Sequence, residues 1–180
     1  MVGLSGSADS PALPAPFIVT AELPADILSW ADGLRRAHFP PERNWLKAHV
    51  TLFHAFAPSL RDELHGVLAR VVVEHRAPPA RIEGLMNLGR GTALAIQSPE
   101  MLSIRREIAD HFHGALTQQD RHEPRLHITI QNKVTAEAAR ALQTDLAPKL
   151  APRSFMFAGL GLHIYRNPHW EEVRTWKFRR

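Results

Sequence analysis

The sequence predicts an α+β protein built from two matched lobes, and three observations lead there. The order strand, helix, strand, helix occurs twice along the chain. The second strand of each copy carries the same pattern, histidine, apolar residue, threonine, apolar residue, in "AHVTLFHAF" (Ala48–Phe56) and again in "LHITIQNK" (Leu126–Lys133). The periodic segments also follow one another without long linkers, in a chain of 180 residues that is 44% apolar and 22% charged. That length and composition allow one sizeable core, so the lobes are expected to pack together.

The elements follow in order. Residues 1–16, rich in Gly, Ser, Ala and Pro, lack the basic start and apolar run of a signal peptide and read as a disordered tail. Residues 17–180 then form a single bilobal domain. "FIVTAEL" (Phe17–Leu23) is β-branched and apolar, hence a strand. Pro24 and Asp26 open a helix whose apolar face is Ile27, Trp30, Ala31 and Leu34, and "FPPERN" breaks it. After the first His-x-Thr strand, Ser59 with Asp62 resembles a capping box ahead of a helix with Leu60, Leu64, Val67, Leu68 and Val71 on one face. "RAPPA" turns the chain into a strand over Arg81–Leu88.

The plan then repeats. Gly91–Gln97 is a short strand, and Ser98-Pro99-Glu100 starts a helix, with Ser as cap and Pro at the first helical position. Leu102, Arg105, Ile108, Ala109, Phe112 and Leu116 continue that helix. The polar loop "TQQDRHEPR" leads to the second His-x-Thr strand, and Thr135 caps a helix from Ala136 to Leu146. Ser154–Tyr165 and Trp170–Phe178 read as two last strands joined by "RNPH".

Strand side chains alternate with period two, so each motif places an imidazole and a hydroxyl on one face, roughly 7 Å apart. His49, Thr51 and Phe53 are expected on one such face, and His127, Thr129 and Gln131 on the other. With histidine and threonine as abundant as they are here, on the order of half a His-x-Thr arises by chance. Two copies at the same place in a repeated plan point instead to one cleft. Its chemistry suits phosphorus: one imidazole takes a proton from the attacking oxygen, the other protonates the leaving oxygen, and the hydroxyls bind the non-bridging oxygens. That scheme requires no metal or other cofactor.

"HVTL" and "HITI" resemble the paired motifs of the two-histidine phosphoesterase superfamily, which includes 2′-5′ RNA ligase family proteins and cyclic nucleotide phosphodiesterases. The resemblance runs from about Phe17 to Phe178 and takes in "LGRGTALAIQS" and "GLGLHIYRNPHWEEVRTWKF". It implies two antiparallel sheets with flanking helices, a groove between the lobes, and reaction at a 2′,3′-cyclic phosphate or 2′-5′ phosphodiester in RNA ends or nucleotides. It also implies His49 and His127 as the acid/base pair, with Thr51 and Thr129 as the phosphate-binding hydroxyls. Which histidine is acid and which base stays open.

Further candidates for substrate contact are Phe53, which could stack a base, Lys133 just past the second strand, and Arg90 in the turn "GRG". The loops Phe39–Lys47 and Thr117–Arg125 are expected to set specificity. His111, His113 and His122 with Asp110 and Glu123 invite a metal reading, but His111 and His113 point apart on a helix, so no metal site is expected. His163 and His169 read as surface or structural residues.

The absence of cysteine excludes a thiolate metal site or nucleophile, and no apolar run is long enough to cross a membrane. The expectation is a monomeric, cytoplasmic enzyme. The net charge of +4 suits an anionic ligand without requiring nucleic acid. Rival readings are an RNA-end-binding module with the same cleft and no turnover, or an interaction protein with vestigial motifs. Two titrating groups favour the enzyme, since a binder has no need of them.

Overall fold

The computed structural model describes residues 14–180. Most of the expected tail, residues 1–13, lies outside the described residues. Ala15 already packs on the core, and the Pro16 carbonyl accepts a hydrogen bond from the Tyr165 N–H at 3.1 Å.

The first half runs β1 (Phe17–Glu22), α1 (Ala25–His38), β2 (Val50–Phe56) and α2 (Arg61–Glu74). After β3 (Pro79–Asn87) the second half repeats it as β4 (Thr92–Gln97), α3 (Pro99–His111), β5 (His127–Gln131) and α4 (Ala136–Leu146). The chain ends with β6 (Arg153–Met156), β7 (Gly159–Tyr165) and β8 (Trp170–Lys177). Two four-stranded sheets result, ordered β2-β1-β7-β8 and β5-β4-β3-β6, and every pairing within them is antiparallel. Each His-x-Thr strand is therefore an edge strand of its sheet. One continuous apolar cluster, including Val19, Leu52, Phe56, Leu94, Ile108, Ile128 and Leu162, joins the two.

Local chemistry explains most boundaries. Ser98 Oγ accepts from the Met101 N–H at 3.3 Å and Thr135 Oγ1 from the Ala138 N–H at 3.1 Å, both caps expected from sequence. The Ser59 capping box does not form. Pro58–Leu60 winds into a short 3₁₀ turn, and α2 starts after Leu60 without a side-chain cap. Helix α3 stops at His111, short of Leu116, where Gly114 takes a φ of 85°. Ser154–Tyr165 is two strands in different sheets. Between them Phe157, fully buried, donates its N–H to Pro78 O and Ala158 donates to Glu22 O, which carries the chain from the second sheet to the first.

Both motif strands share an irregularity that sequence alternation does not reveal. Thr51 pairs with Thr20, yet Phe53, not Leu52, pairs with Val19. Thr129 pairs with Ala93, yet Gln131, not Ile130, pairs with Thr92. One extra residue thus follows each threonine, as in a β-bulge, and reverses the faces beyond it. Phe53 becomes fully buried and Gln131 is only 6% exposed, accepting from Thr92 Oγ1 at 3.0 Å. The expected face of His49, Thr51 and Phe53 therefore ends at Thr51, and that of the second strand at Thr129.

Edge strand β2 is sealed by Asp120, which stands in a 3₁₀ turn of the loop before β5. Its carboxylate, 1% exposed, accepts from the N–H groups of His54 and Ala55 and from His54 Nδ1, at 2.9–3.0 Å. Burial alone would raise this carboxyl, but these hydrogen bonds outweigh it and hold it below the ordinary range. A depressed carboxylate pKa stabilises the fold above the unfolded value, near 4, and that contribution disappears as pH falls through the folded value. Asp120→Ala leaves two strand N–H groups without their partner. It should cost about 3 kcal/mol at neutral pH, read as a lower urea midpoint with unchanged slope.

Candidate active site

His49 immediately precedes β2 and His127 begins β5, and both are half-buried. The two are fixed alike. His49 Nδ1 lies 2.7 Å from Lys47 O, and His127 Nδ1 lies 2.6 Å from Arg125 O, the carbonyl two residues back in each case. A carbonyl only accepts, so each Nδ1 must carry the hydrogen. In the neutral ring, Nε2 is then the bare, proton-accepting nitrogen of both imidazoles.

The halves are brought together by two buried arginines, each 3% exposed, that reach into the opposite half. Arg35, on α1, donates Nη1 to Thr129 O at 2.8 Å and holds Asn44 Oδ1 through Nε and Nη2. Arg105, on α3, donates Nε to Leu52 O at 3.2 Å and Nη2 to Asp120 O. A groove of about 300 Å³ results, in which His49 and Thr129, one residue from each motif, share a wall with Arg35, Arg43 and Lys133. A second cavity of about 430 Å³ lies on the other side of His49, with Glu22, Trp45, Lys47, His163 and Trp170 among its walls.

Electrostatics and burial act strongly on His49. Burial is the largest influence on His49, and the hydrogen bond to Lys47 O only partly offsets it. The charges of Arg35, His163 and His127 push the same way as burial, and together they lower the His49 pKa to about 4. His49 is therefore neutral at pH 7, with Trp170 against its ring at 4.5 Å between centroids.

The remaining sequence candidates divide. Lys133 lies in the groove with a backbone φ of 59°, a left-handed conformation uncommon outside glycine. Phe53 cannot stack a base: the bulge turns it into the core, where the Arg105 guanidinium lies 4.3 Å from its ring centre. Arg90 lines neither cavity. Its Nε donates to Val134 O at 3.1 Å and its carbonyl accepts from the Val134 N–H, which ties the β3–β4 turn to the segment after β5.

His111 pairs with Glu63, and Glu123 with Arg106, so the residues weighed for a metal site do not converge. Among the described residues the one group with metal-ligating spacing is Glu74, His75 and Glu107, where Arg70 already bonds both carboxylates. His163 and His169, read as structural from sequence, line the cavity beside His49. So do Trp45 and Trp170, which sequence reasoning did not single out. Their only signal was tryptophan flanking a motif and a hairpin turn.

A family model described as the 2′-5′ RNA ligase superfamily matches residues 23–169. No curated protein matches the chain in sequence. Among solved structures, one described as a phosphoesterase superposes with a TM-score of 0.61 at 17% identity, covering 93% of this chain and 99% of its own. E. coli LigT complexed with 3′-AMP gives 0.58 at 17% identity over 93% and 99%. TT0787 of Thermus thermophilus gives 0.61 at 12% identity over 91% and 98%. At these identities the likeness concerns the fold.

The carbonyl contacts make a direct forecast. Nitrogen-detected NMR should show the neutral rings of His49 and of His127 as the tautomer with hydrogen on Nδ1, and His49 should stay neutral until the pH approaches about 4. A protonated Nε2 on a neutral ring of either residue would contradict the site geometry.

Proposed function

This chain belongs to the 2′-5′ RNA ligase superfamily, and from that premise we propose that it is a metal-independent phosphoesterase acting on a 2′,3′-cyclic phosphate or a 2′-5′ phosphodiester. The observation that carries this reading is the matched pair of imidazoles, each with Nδ1 tied to the carbonyl two residues back. Both present Nε2 as the working nitrogen. LigT solved with 3′-AMP and with NADP+ adds support for a nucleotide-like substrate.

On a cyclic phosphate, neutral His49 takes a proton through Nε2 from water as the water oxygen attacks phosphorus. The bond from phosphorus to one ribose oxygen breaks, and protonated His127 gives its proton to that leaving oxygen. The product is a phosphate monoester, and proton exchange with solvent resets both rings. Thr51 and Thr129 donate to the non-bridging oxygens as negative charge grows there. The lowered pKa of His49 favours it as the base in hydrolysis. In the reverse direction, with a ribose hydroxyl as nucleophile, the roles exchange. Lys133 and Arg43, on the groove wall, add positive charge for a phosphate-bearing chain.

The test is hydrolysis of nucleoside 2′,3′-cyclic monophosphates in EDTA, followed by phosphorus NMR. His49→Ala or His127→Ala should lose about 10²–10⁴-fold in rate, and Thr51→Ala or Thr129→Ala about 10- to 100-fold. The acid limb of kcat/KM should fall near pH 4 rather than near the ordinary histidine value of about 6.5. Full activity in the double histidine variant would refute the mechanism. Tight, salt-sensitive binding of RNA ends without any product would favour the binding module instead.

A further inference from the structure

The cavity beyond His49 has a composition that the phosphate chemistry does not use. Its floor is a short relay across β1 and β7. Thr20 Oγ1, in a residue 2% exposed, donates to Glu22 Oε1 and lies 2.9 Å from His163 Nε2. The threonine's one hydrogen is committed to the carboxylate, so His163 Nε2 must donate to Thr20.

Burial acts to raise the Glu22 carboxyl, but the hydrogen bonds with His163 and Thr20 and the charges of His163 and His49 leave it below its ordinary range. Glu22 therefore carries its charge at neutral pH. Its second oxygen, Oε2, has no hydrogen-bond partner among the described residues, and Glu22 forms part of the cavity wall. The relay needs the glycine opposite it: a Cβ at Gly161 would collide with Glu22 Oε1, Thr20 Oγ1 and His163 Nε2.

Two tryptophans line the same cavity as this carboxylate. Trp170 stands between His49 and His163, with centroids 4.5 and 5.7 Å away, and Trp45, 52% exposed, lies against His169 at 5.4 Å. Flat aromatic walls next to a fixed acceptor suit a planar heterocycle with N–H groups at its edge. The walls hold Lys47 as well as Glu22 and Glu172, so the cavity offers a cationic donor beside its acceptors. A base that offers both donors and acceptors can use Glu22 and Lys47 at once. Guanine does this best, with two adjacent donors for a carboxylate and a carbonyl oxygen for an ammonium. Uracil would turn a carbonyl oxygen toward Glu22.

We propose that this cavity is a nucleobase subsite in which Trp45 and Trp170 hold the ring and Glu22, positioned by Thr20, His163 and Gly161, selects guanine. The assignment rests on the proposed phosphoesterase reading, because His49 would then act on the phosphate of the ribose attached to that base.

Calorimetric titration with guanosine, inosine and uridine tests the subsite without any turnover. Guanosine should bind about tenfold tighter than inosine, which lacks the amino group, and than uridine. Glu22→Gln should level guanosine with inosine, whereas Trp45→Ala should weaken all three nucleosides together and keep their order. In turnover, 2′,3′-cyclic GMP should exceed 2′,3′-cyclic UMP in kcat/KM, through KM. Equal binding of guanosine and uridine, a preference that survives Glu22→Gln, or tighter binding of choline than of guanosine would overturn the subsite. Guanosine selectivity with no hydrolysis of any cyclic nucleotide would instead refute the phosphoesterase reading and leave the subsite standing.

Discussion

The placement of both motifs depends on two guanidinium groups buried between the halves. Arg35 leaves the first half to hold a carbonyl of β5, and Arg105 leaves the second half to hold a carbonyl of β2. A carbonyl at a bulged edge strand has lost a ladder partner, and inside the protein it must find another donor. A buried guanidinium has five N–H groups to satisfy and a planar face to cover. Each problem answers the other. Arg35 lies over Phe39 and Arg105 over Phe53, with 4.3 Å to the ring centre in both cases. The bulges, the arginines and the inward phenylalanine are thus one device, and it fixes how the two edge strands face each other.

This device also shows why the sequence could be read so far and no further. Helix caps at Ser98 and Thr135 are local events between a hydroxyl and an N–H three residues on, so composition and spacing reveal them. Strand and helix order is equally local, and the repeated plan places His49 and His127 in equivalent positions. A bulge depends on the partner strand, and nothing in "HVTLFHAF" says that Phe53 pairs where Leu52 should. Period-two reasoning therefore failed one residue past each threonine. The buried role of Arg105 was hidden in the same way: it reads as a polar position on a helical face until the other half supplies Leu52 O. The run Ser154–Tyr165 reads as one strand because Phe157 and Ala158 cross between sheets without a turn residue to mark the break.

The two imidazoles are alike in local geometry and unlike in surroundings. The similarity comes from the repeat, since both rings bond the carbonyl two residues back, in the segment that leads into each motif strand. The difference comes from the closing hairpin, β7 and β8, which follows the second half and adds strands only to the first sheet. That hairpin sets Trp170 against His49 and brings His163 into the same cavity wall, and with Arg35 nearby it makes a crowded, positive environment that disfavours the imidazolium. A reaction with a nucleophile on one side and a leaving group on the other benefits from such inequality, because the two proton transfers run in opposite directions.

The hairpin also divides the space around His49 by charge. On the side of Thr129 the walls carry Arg35, Arg43 and Lys133 with no carboxylate; on the side of β1 they carry Glu22 and Glu172 beside Lys47. Trp45 and Trp170 border both. An extended ligand with a phosphate chain at one end and a heterocycle at the other matches that gradient in only one orientation, since reversal would set phosphates against carboxylates. Orientation is the quantity that two proton-transferring groups need settled, because each must meet a different oxygen of the same phosphorus. The asymmetric walls can therefore supply what a symmetric pair of motifs lacks, a reason for the substrate to lie one way round.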